Sequence, residues 1–443
     1  MKDLLRRLIK SALQKGADEA EGYLRQTKNL TIEVKNQKVD TLESSITMGY
    51  CIRIIRDKRL GFSYSTDPEE IAVAVDRAIA SSAFSEPDEC NGLPQHAEVH
   101  EVRIFDERIA LLRESDAAGY VMGLERAAFA QDSRIKKIRK ALGSFSMTDT
   151  HIINSHDIDI HYTSTSCSAQ MMAIAEEGPE SQVGWDYEGN RFLDEVSFGA
   201  VGQNAARKAV NLLGAKKISP MKGLILLDSA VVTEFLDILS ASLSSEAVQK
   251  KKSFFSDKKD EPVASRLINI IDSGLIDGRL GSRPVDAEGV PTKTKILVEQ
   301  GVLRGLLYNT YTAKKDGRQS TGNAVRSGSG SLPSVGPTNI YIEPVIKDHT
   351  TDLRGLQKII DKGLYVIETM GMHTANPISG DFSVGASGLW IERGEVRYPV
   401  KEVVISGNIL DLFNNIILVG DDLKFYGNIG SPSLVIEGID ISG

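Results

Sequence analysis

LTIEVKNQKVDTLESS (residues 30–45) alternates apolar and polar side chains on either side of Asn36-Gln37, and YCIRIIRDKRLGFSYS (residues 50–65) does the same around Asp57-Lys58. A period of two puts alternate side chains on one face of a strand, and a polar pair between two such runs has turn chemistry. These stretches predict antiparallel strands joined by hairpins. Ahead of them Leu4, Leu5, Leu8, Ile9, Ala12 and Leu13 recur at helical spacing and Gly16 stops the pattern, so a helix packs beside the sheet. The fold class is α+β.

Downstream, Asp67-Pro68 opens an Ala-, Ile- and Val-rich helix that runs to about Ser82, with Pro68 in a first turn that tolerates a missing N–H. Residues 85–102 mix Pro, Gly and charge without periodicity and read as a surface crossing. A helix over 107–131 follows, then strands over 135–146, 151–163 and 169–176, and a helix over 198–213. GAKKISPMKG (214–223) is the linker. The expected division is an N-terminal domain of antiparallel sheet and helices, 1–218, and a C-terminal domain, 219–443.

In the second domain LILLDS is a buried strand, and residues 230–243 form a helix with Val232, Phe235, Leu236, Leu239 and Leu243 on one stripe. TKTKILVEQGVLRGLLYN, NIYIEPV, GLYVIET, GLWIERGEVRYPVKEVVISG and SLVIEGIDIS then alternate or run apolar, with Gly301 and Gly394 placed as hairpin glycines. This half is expected to be a β-rich sandwich or closed sheet.

The 443 residues exceed one ordinary core. With 41% hydrophobic residues, 25% charged and a formal net charge of −8, the composition gives no basic excess of the kind a duplex-binding protein carries. The first 22 residues mix acidic and basic side chains through the apolar pattern, unlike a signal or transit peptide, and no apolar run reaches the roughly 18 residues of a membrane span. Cys51, Cys90 and Cys167 are odd in number and widely spaced, which suits a reducing cytoplasm better than a disulfide framework.

Chemistry is sparse. His151, His156 and His161 stand five apart, a spacing that puts neighbours on opposite faces of one strand, so no metal is expected there. Asp286 with Glu288, and Asp421 with Asp422, are carboxylate pairs without a visible nucleophile or metal partner, and read as polar turns beside strands. RQSTGNAVRSGSGS (318–331) matches neither a P-loop nor a dinucleotide fingerprint. No nucleophile elbow appears, and the cysteines lack catalytic context. SSEAVQKKKSFF (244–255) joins Glu246 to Lys250, Lys251 and Lys252 at a helix end.

The order of blocks along the chain is more specific. The segment 16–67, then DAEGVPTKTKILVEQGVLRGLLYNTYTAKKDGRQSTGNA (286–324), ISGDFSVGASGLWIERGEVRYPV (378–400) and ISGNILDLFNNIILVGDDL (405–423), resemble the TldD/TldE family, TldE also being called PmbA. The resemblance covers essentially the whole chain. It implies a cytoplasmic metalloprotease of two kinds of subunit, in which the TldD kind holds zinc through His-Glu-x-x-x-His on the helix entering the second domain and a cysteine near the C-terminus. Here the corresponding window, LSASLSSEAVQKKKS (239–253), has Glu246 and no histidine, none lies between His161 and His349, and no cysteine follows Cys167.

That departure matches the TldE/PmbA subtype, as do NTYTAKKDG and ETMGMHTANPISGDFS. The resemblance then implies a chain without catalytic residues or metal of its own. A TldD-like partner would supply zinc, and unfolded peptides would be the substrate, with a homodimer for the isolated chain and no direct nucleic-acid or membrane contact. Thr321, Gly322, Asn323, Gly380 and Asp381 are expected at the peptide chamber or the subunit interface. The alternative is a homodimeric regulatory or binding protein, a modulator of DNA gyrase; a third possibility is a stand-alone hydrolase with unrecognised residues.

Overall fold

The hairpins expected over residues 30–65 form, and their turns are of one kind. In the computed structural model, which describes residues 2–443, Asn36, Gln37, Asp57 and Lys58 all have positive φ. Paired left-handed residues make the two-residue turn whose twist matches that of the strands it joins. The buried Glu125 carboxylate fixes the first tip by accepting from Asn36 N at 2.8 Å and Gln37 N at 2.5 Å.

The strands β1 (Glu19–Lys35), β2 (Lys38–Arg56), β3 (Arg59–Ser65), β4 (Ile135–Asn154), β5 (Asp159–Glu177) and β6 (Glu180–Asn190) form one antiparallel sheet in the order β3-β2-β1-β4-β5-β6. Two helices, α1 (Lys2–Gln14) and α2 (Ile71–Ser82), bury Leu5, Leu8, Val75 and Ala78 against Leu24, Ile52 and Ile54. Farther along the same face, α4 (Glu114–Gln131) and α5 (Phe198–Asn211) cover Leu30, Ile32, Phe145 and Met171. The helix expected over 107–131 is two helices, because α3 (Glu107–Ala110) stops after one turn before α4 begins.

One sequence expectation fails here for a clear reason. Residues 151–163 are not one strand: residues 155 and 156 form a turn, and the chain doubles back. His151 therefore pairs directly with His161 across β4 and β5, and their rings lie edge to face at 5.6 Å. The opposite-faces argument assumed a continuous strand, and the reversal voids it. Each imidazole sits beside its own carboxylate, His151 with Asp159 at 3.0 Å and His161 with Asp149 at 3.5 Å.

From residue 221 the strands are β7 (Met221–Leu227), β8 (Ile268–Ser273), β9 (Thr294–Glu299), β10 (Val302–Leu303), β11 (Ala324–Val325), β12 (Ser334–Val335), β13 (Asn339–Pro344), β14 (Lys362–Met370), β15 (Asp381–Glu392), β16 (Glu395–Asn408), β17 (Ile416–Val419), β18 (Lys424–Tyr426), β19 (Ile429–Ser431) and β20 (Leu434–Ser442). One sheet runs β16-β15-β14-β7-β20-β17, and pairing of β16 with β20 closes it on itself. A second runs β10-β9-β8-β13-β19-β18. The expected closed sheet is present, and a further sheet stands beside it. Between them α6 (Ser229–Ser242) packs against β14 and against β18 and β19, so its stripe of Val232, Phe235, Leu236 and Leu239 enters the main core.

Gly301 and Gly394 occupy hairpin turns with positive φ, as their positions predicted. No helix is long and apolar enough to cross a membrane among the described residues.

Candidate functional site

The face of the N-terminal sheet away from its helices carries Glu21, Tyr23, Cys51 and Arg53, and it meets the C-terminal half. Tyr23, Cys51, Ile152 and Ile158 pack there against Val285. Beside this contact lies a cleft of about 430 Å³ lined by Arg53, Asp88 and Gly92 from the N-terminal side and by Glu246, Asn309 and Tyr311 from the other.

The floor is a buried ionic chain. Arg53 donates to Glu21 and to Glu288, each at 2.7 Å, while Arg326 donates to the second oxygen of Glu21 at 2.6 Å. Glu288 also accepts from Thr310 N at 2.8 Å. Arg53 Nε and Thr310 Oγ1 are buried without a hydrogen-bond partner in the protein, the kind of unmet capacity that a bound water or ligand satisfies. The carboxylate pair Asp286 and Glu288, read from the sequence as polar turn residues, is fully buried, and Glu288 joins the two halves of the chain.

Asp286 scaffolds this loop by accepting from Glu288 N, Val290 N and Ala324 N at 2.9, 3.0 and 2.9 Å. Burial, followed by the neighbouring Glu288 charge, pushes its carboxyl up to about 7. For Glu288 burial also acts upward, but the Arg53 charge and the Thr310 N–H outweigh it and the net direction is down. The signs differ. A raised folded-state value means Asp286 contributes stability that is fully present below its unfolded value of about 4 and is lost as pH rises through about 7. Glu288 contributes above its unfolded value and loses that contribution as the solution is acidified. The urea midpoint is expected to fall as pH rises from about 5 to about 7 and to level off above that, and Asp286→Asn, which does not titrate, is expected to flatten that fall. An unchanged slope in the variant would remove Asp286 as its source.

On the walls, Asp88 accepts from Cys90 N and from Tyr311 Oη, both at 2.8 Å. Those two donors, the backbone one first, hold the Asp88 carboxyl below its usual range, and the same bond pushes the Tyr311 hydroxyl up to about 12. Glu246 lies on α7 (Ser245–Gln249), the short helix after α6, and pairs with Lys250 at 2.5 Å. Lys251 and Lys252 are exposed beyond the helix end. The helix is stitched to α8 (Thr310–Lys315) through Ser245 Oγ to Thr312 Oγ1 at 2.9 Å and Gln249 Nε2 to Thr312 O at 2.8 Å.

The surroundings of Glu246 do not fit a zinc ion. Its near neighbours are a lysine, a tyrosine and hydroxyls, and α6, the helix that enters this half, offers Glu234 and Asp237 but no imidazole or thiolate. Zinc sites are built from His, Cys and carboxylate in sets of three or four, and no such group converges among the described residues. Burial pushes the Cys51 thiol up to about 11 and the Cys167 thiol up to about 12, which removes both as nucleophiles at neutral pH.

Of the other residues singled out, Thr321, Gly322 and Asn323 do not line the cleft and come together in a buried polar knot next to Ala324, whose N–H Asp286 accepts. Asn323, fully buried, donates to Asp272 at 2.8 Å and accepts from Lys295 Nζ at 2.8 Å and Thr321 Oγ1 at 2.7 Å. Gly322 holds φ at +72°, and a Cβ there would stand 2.5 Å from Pro291 O, so a side chain is excluded. Gly380 and Asp381 sit elsewhere, where the chain enters β15, with Asp381 exposed and bonded to Asn408 and Ser379 at 2.9 and 2.7 Å. Glu21, Arg53 and Asp88 gave no sequence signal, because each becomes distinctive only through a partner dozens to hundreds of positions away, whereas Arg326 lies in the Gly-rich segment 318–331 and meets the carboxylate of Glu21.

Three family models match the chain: PmbA/TldA metallopeptidase domain 1 over residues 20–82, the central domain over 105–213 and the C-terminal domain over 220–443. The chain belongs to the TldD/TldE (PmbA) family of metallopeptidases. The first two models contribute three strands each to one continuous sheet. The Metalloprotease PmbA homolog of Haemophilus influenzae is 29% identical, covering 99% of this chain and 96% of the relative, and Metalloprotease PmbA of Escherichia coli O157:H7 is 28% identical with the same coverage. A solved structure from Thermotoga maritima, described as a modulator of a DNA gyrase, superposes with a TM-score of 0.92 at 27% identity and covers 99% of both chains.

Proposed function

We propose that this chain is a TldE/PmbA-type subunit of a cytoplasmic metalloprotease, without a zinc site of its own, that helps enclose unfolded peptides for cleavage by a TldD-like partner. The observation that carries the reading is the chemistry at the domain entry, where α6 and α7 present Glu234, Asp237 and Glu246 and no histidine or cysteine. The full-length likeness to PmbA proteins supports the subtype. An extended peptide can be held through main-chain hydrogen bonds at a sheet edge, a mode largely indifferent to sequence and suited to unfolded substrates. Thr321, Gly322, Asn323, Gly380 and Asp381 belong in this reading to loops that shape the chamber or the subunit interface.

The test uses the chain alone, a TldD-like chain alone and the mixture, with zinc measured by elemental analysis and cleavage followed on an unfolded peptide. Metal-free, inactive protein is expected for the chain alone, with chelator-sensitive cleavage in the mixture. Zinc-dependent cleavage by the chain alone would overturn the proposal. A second reading, a homodimeric regulatory protein acting on DNA gyrase, draws on the description of the Thermotoga maritima protein. It predicts a gyrase-dependent change in supercoiling and no peptide cleavage in any mixture.

A further inference from the structure

β3 pairs only with residues 50–56 of β2, whereas β1 pairs with β2 over its whole length. Residues 38–49 of β2 therefore have a neighbour on one side only and present a row of unpaired main-chain N–H and C=O groups. Residues 38–47 are all exposed. They include Val39 and Leu42, each 40% exposed, and Ile46, 67% exposed. A bulge at Asp40, between the pairs Thr41–Glu33 and Val39–Val34, bends the strand near its tip, and the regular exposed edge beyond it, residues 41–47, bears Leu42 and Ile46 as a template for another strand.

The faces are unequal. Leu42 stands opposite Ile32, Ser44 opposite Leu30 and Ile46 opposite Lys28 in the β1–β2 register. Ile32 and Leu30 are buried under the helices, and Ser44 borders a small recess with Ile109, Leu112 and Phe145. Leu42 and Ile46 thus continue the helix-covered apolar face one strand beyond the cover that α4 gives to β1 and β4.

We propose that this edge pairs with the same edge of a second copy, antiparallel, about a two-fold axis through Ser44. The argument is one of register. A two-fold that joins identical edges into one sheet lies perpendicular to it and matches like faces, so paired residue numbers must sum to an even number. A sum of 86 places Glu43 on the axis against its own copy, which like charge disfavours. A sum of 84 leaves only residues 41–43 paired on the regular side of the bulge, and a sum of 90 leaves Ile46 facing Ser44. A sum of 88 uses residues 41–47, all exposed and all on the regular side of the bulge, opposes Leu42 to Ile46 twice, sets Thr41 against Thr47 and Glu43 against Ser45, and places no like charges directly opposite. It also brings the helix-covered faces of both copies to the same side, so the four exposed side chains share one apolar strip.

The inference deepens the homodimer expected for the isolated chain and is independent of the proteolytic reading. Directly opposite residues in an antiparallel pair have Cα atoms about 4.5–5.5 Å apart, within disulfide reach. Cys51 and Cys167 are buried, so only Cys90 needs replacing as background. In Cys90→Ser protein without any partner chain, Ser44→Cys is expected to form a disulfide-linked dimer on mild oxidation. Val39→Cys, separated from its own copy by ten residues or about 33 Å along the strand, is expected to stay unlinked. The combined variant Leu42→Lys/Ile46→Lys is expected to sediment as a monomer with an unchanged circular dichroism spectrum, while the unsubstituted chain sediments at twice the monomer mass. A monomeric unsubstituted chain, or a dimer that survives both lysines and leaves Ser44→Cys unlinked, would overturn the assignment. Either result leaves cleavage by the mixed complex, and hence the proposed function, untouched.

Discussion

Arg53→Met is expected to lower the unfolding free energy by about 3–5 kcal/mol, because it leaves Glu21 and Glu288 buried with too few positive charges. Both carboxylates are fully buried, and Arg53 bonds each at 2.7 Å. Arg326 reaches Glu21 alone, so Glu288 would keep only the Thr310 N–H. The loss is large because the remaining charge is desolvated, and it does not measure what the pair adds over an apolar substitute. Urea unfolding reports it as a lower midpoint at unchanged slope. Arg304→Met serves as the comparison, since Arg304 pairs with Asp260 and Glu299 at the surface and such pairs contribute about 0–1 kcal/mol. Equal shifts in the two variants would show that the ionic chain does not hold the halves together. Adding Glu288→Gln to Arg53→Met should recover part of the loss, a non-additivity expected of direct partners.

Phe235→Ala is expected to cost about 3–5 kcal/mol, the range for emptying an aromatic site in a packed core. Phe235 is fully buried on α6 and meets Phe382 edge to face with ring centroids 4.9 Å apart. Its place between the closed sheet and the second sheet means that no single loop can relax into the cavity. Phe84→Ala, at a side chain 92% exposed, should shift the midpoint by less than about 0.5 kcal/mol. A small effect at Phe235 would mean that the two sheets close over the gap, which soaking with a small apolar ligand would then fail to fill.

How much was legible depends on how far apart the partners lie. The hairpins at Asn36-Gln37 and Asp57-Lys58 follow from neighbours in the chain, and so do α1 and the stripe of α6. The split between α3 and α4 was missed because the apolar pattern runs on through the break. The histidines were misjudged because a spacing argument presumes the element in which the residues stand, and a turn at residues 155 and 156 makes His151 and His161 neighbours. Asp286 and Glu288 looked like turn residues because carboxylates are usually solvated, and only a guanidinium 235 positions away keeps Glu288 charged inside.

The sequence by itself determined the α+β class, the antiparallel hairpins, the family and the lack of histidine between His161 and His349, since each is written in local pattern or in residue identity. Tertiary structure alone decided that the C-terminal sheet closes through β16 and β20. It alone assembled Glu21, Arg53, Glu288 and Arg326 into one ionic chain and left residues 38–49 of β2 without a strand on one side. The physical reason is the same in each case: charge pairing and strand pairing depend on which segments become neighbours in space, and local periodicity carries no information about that.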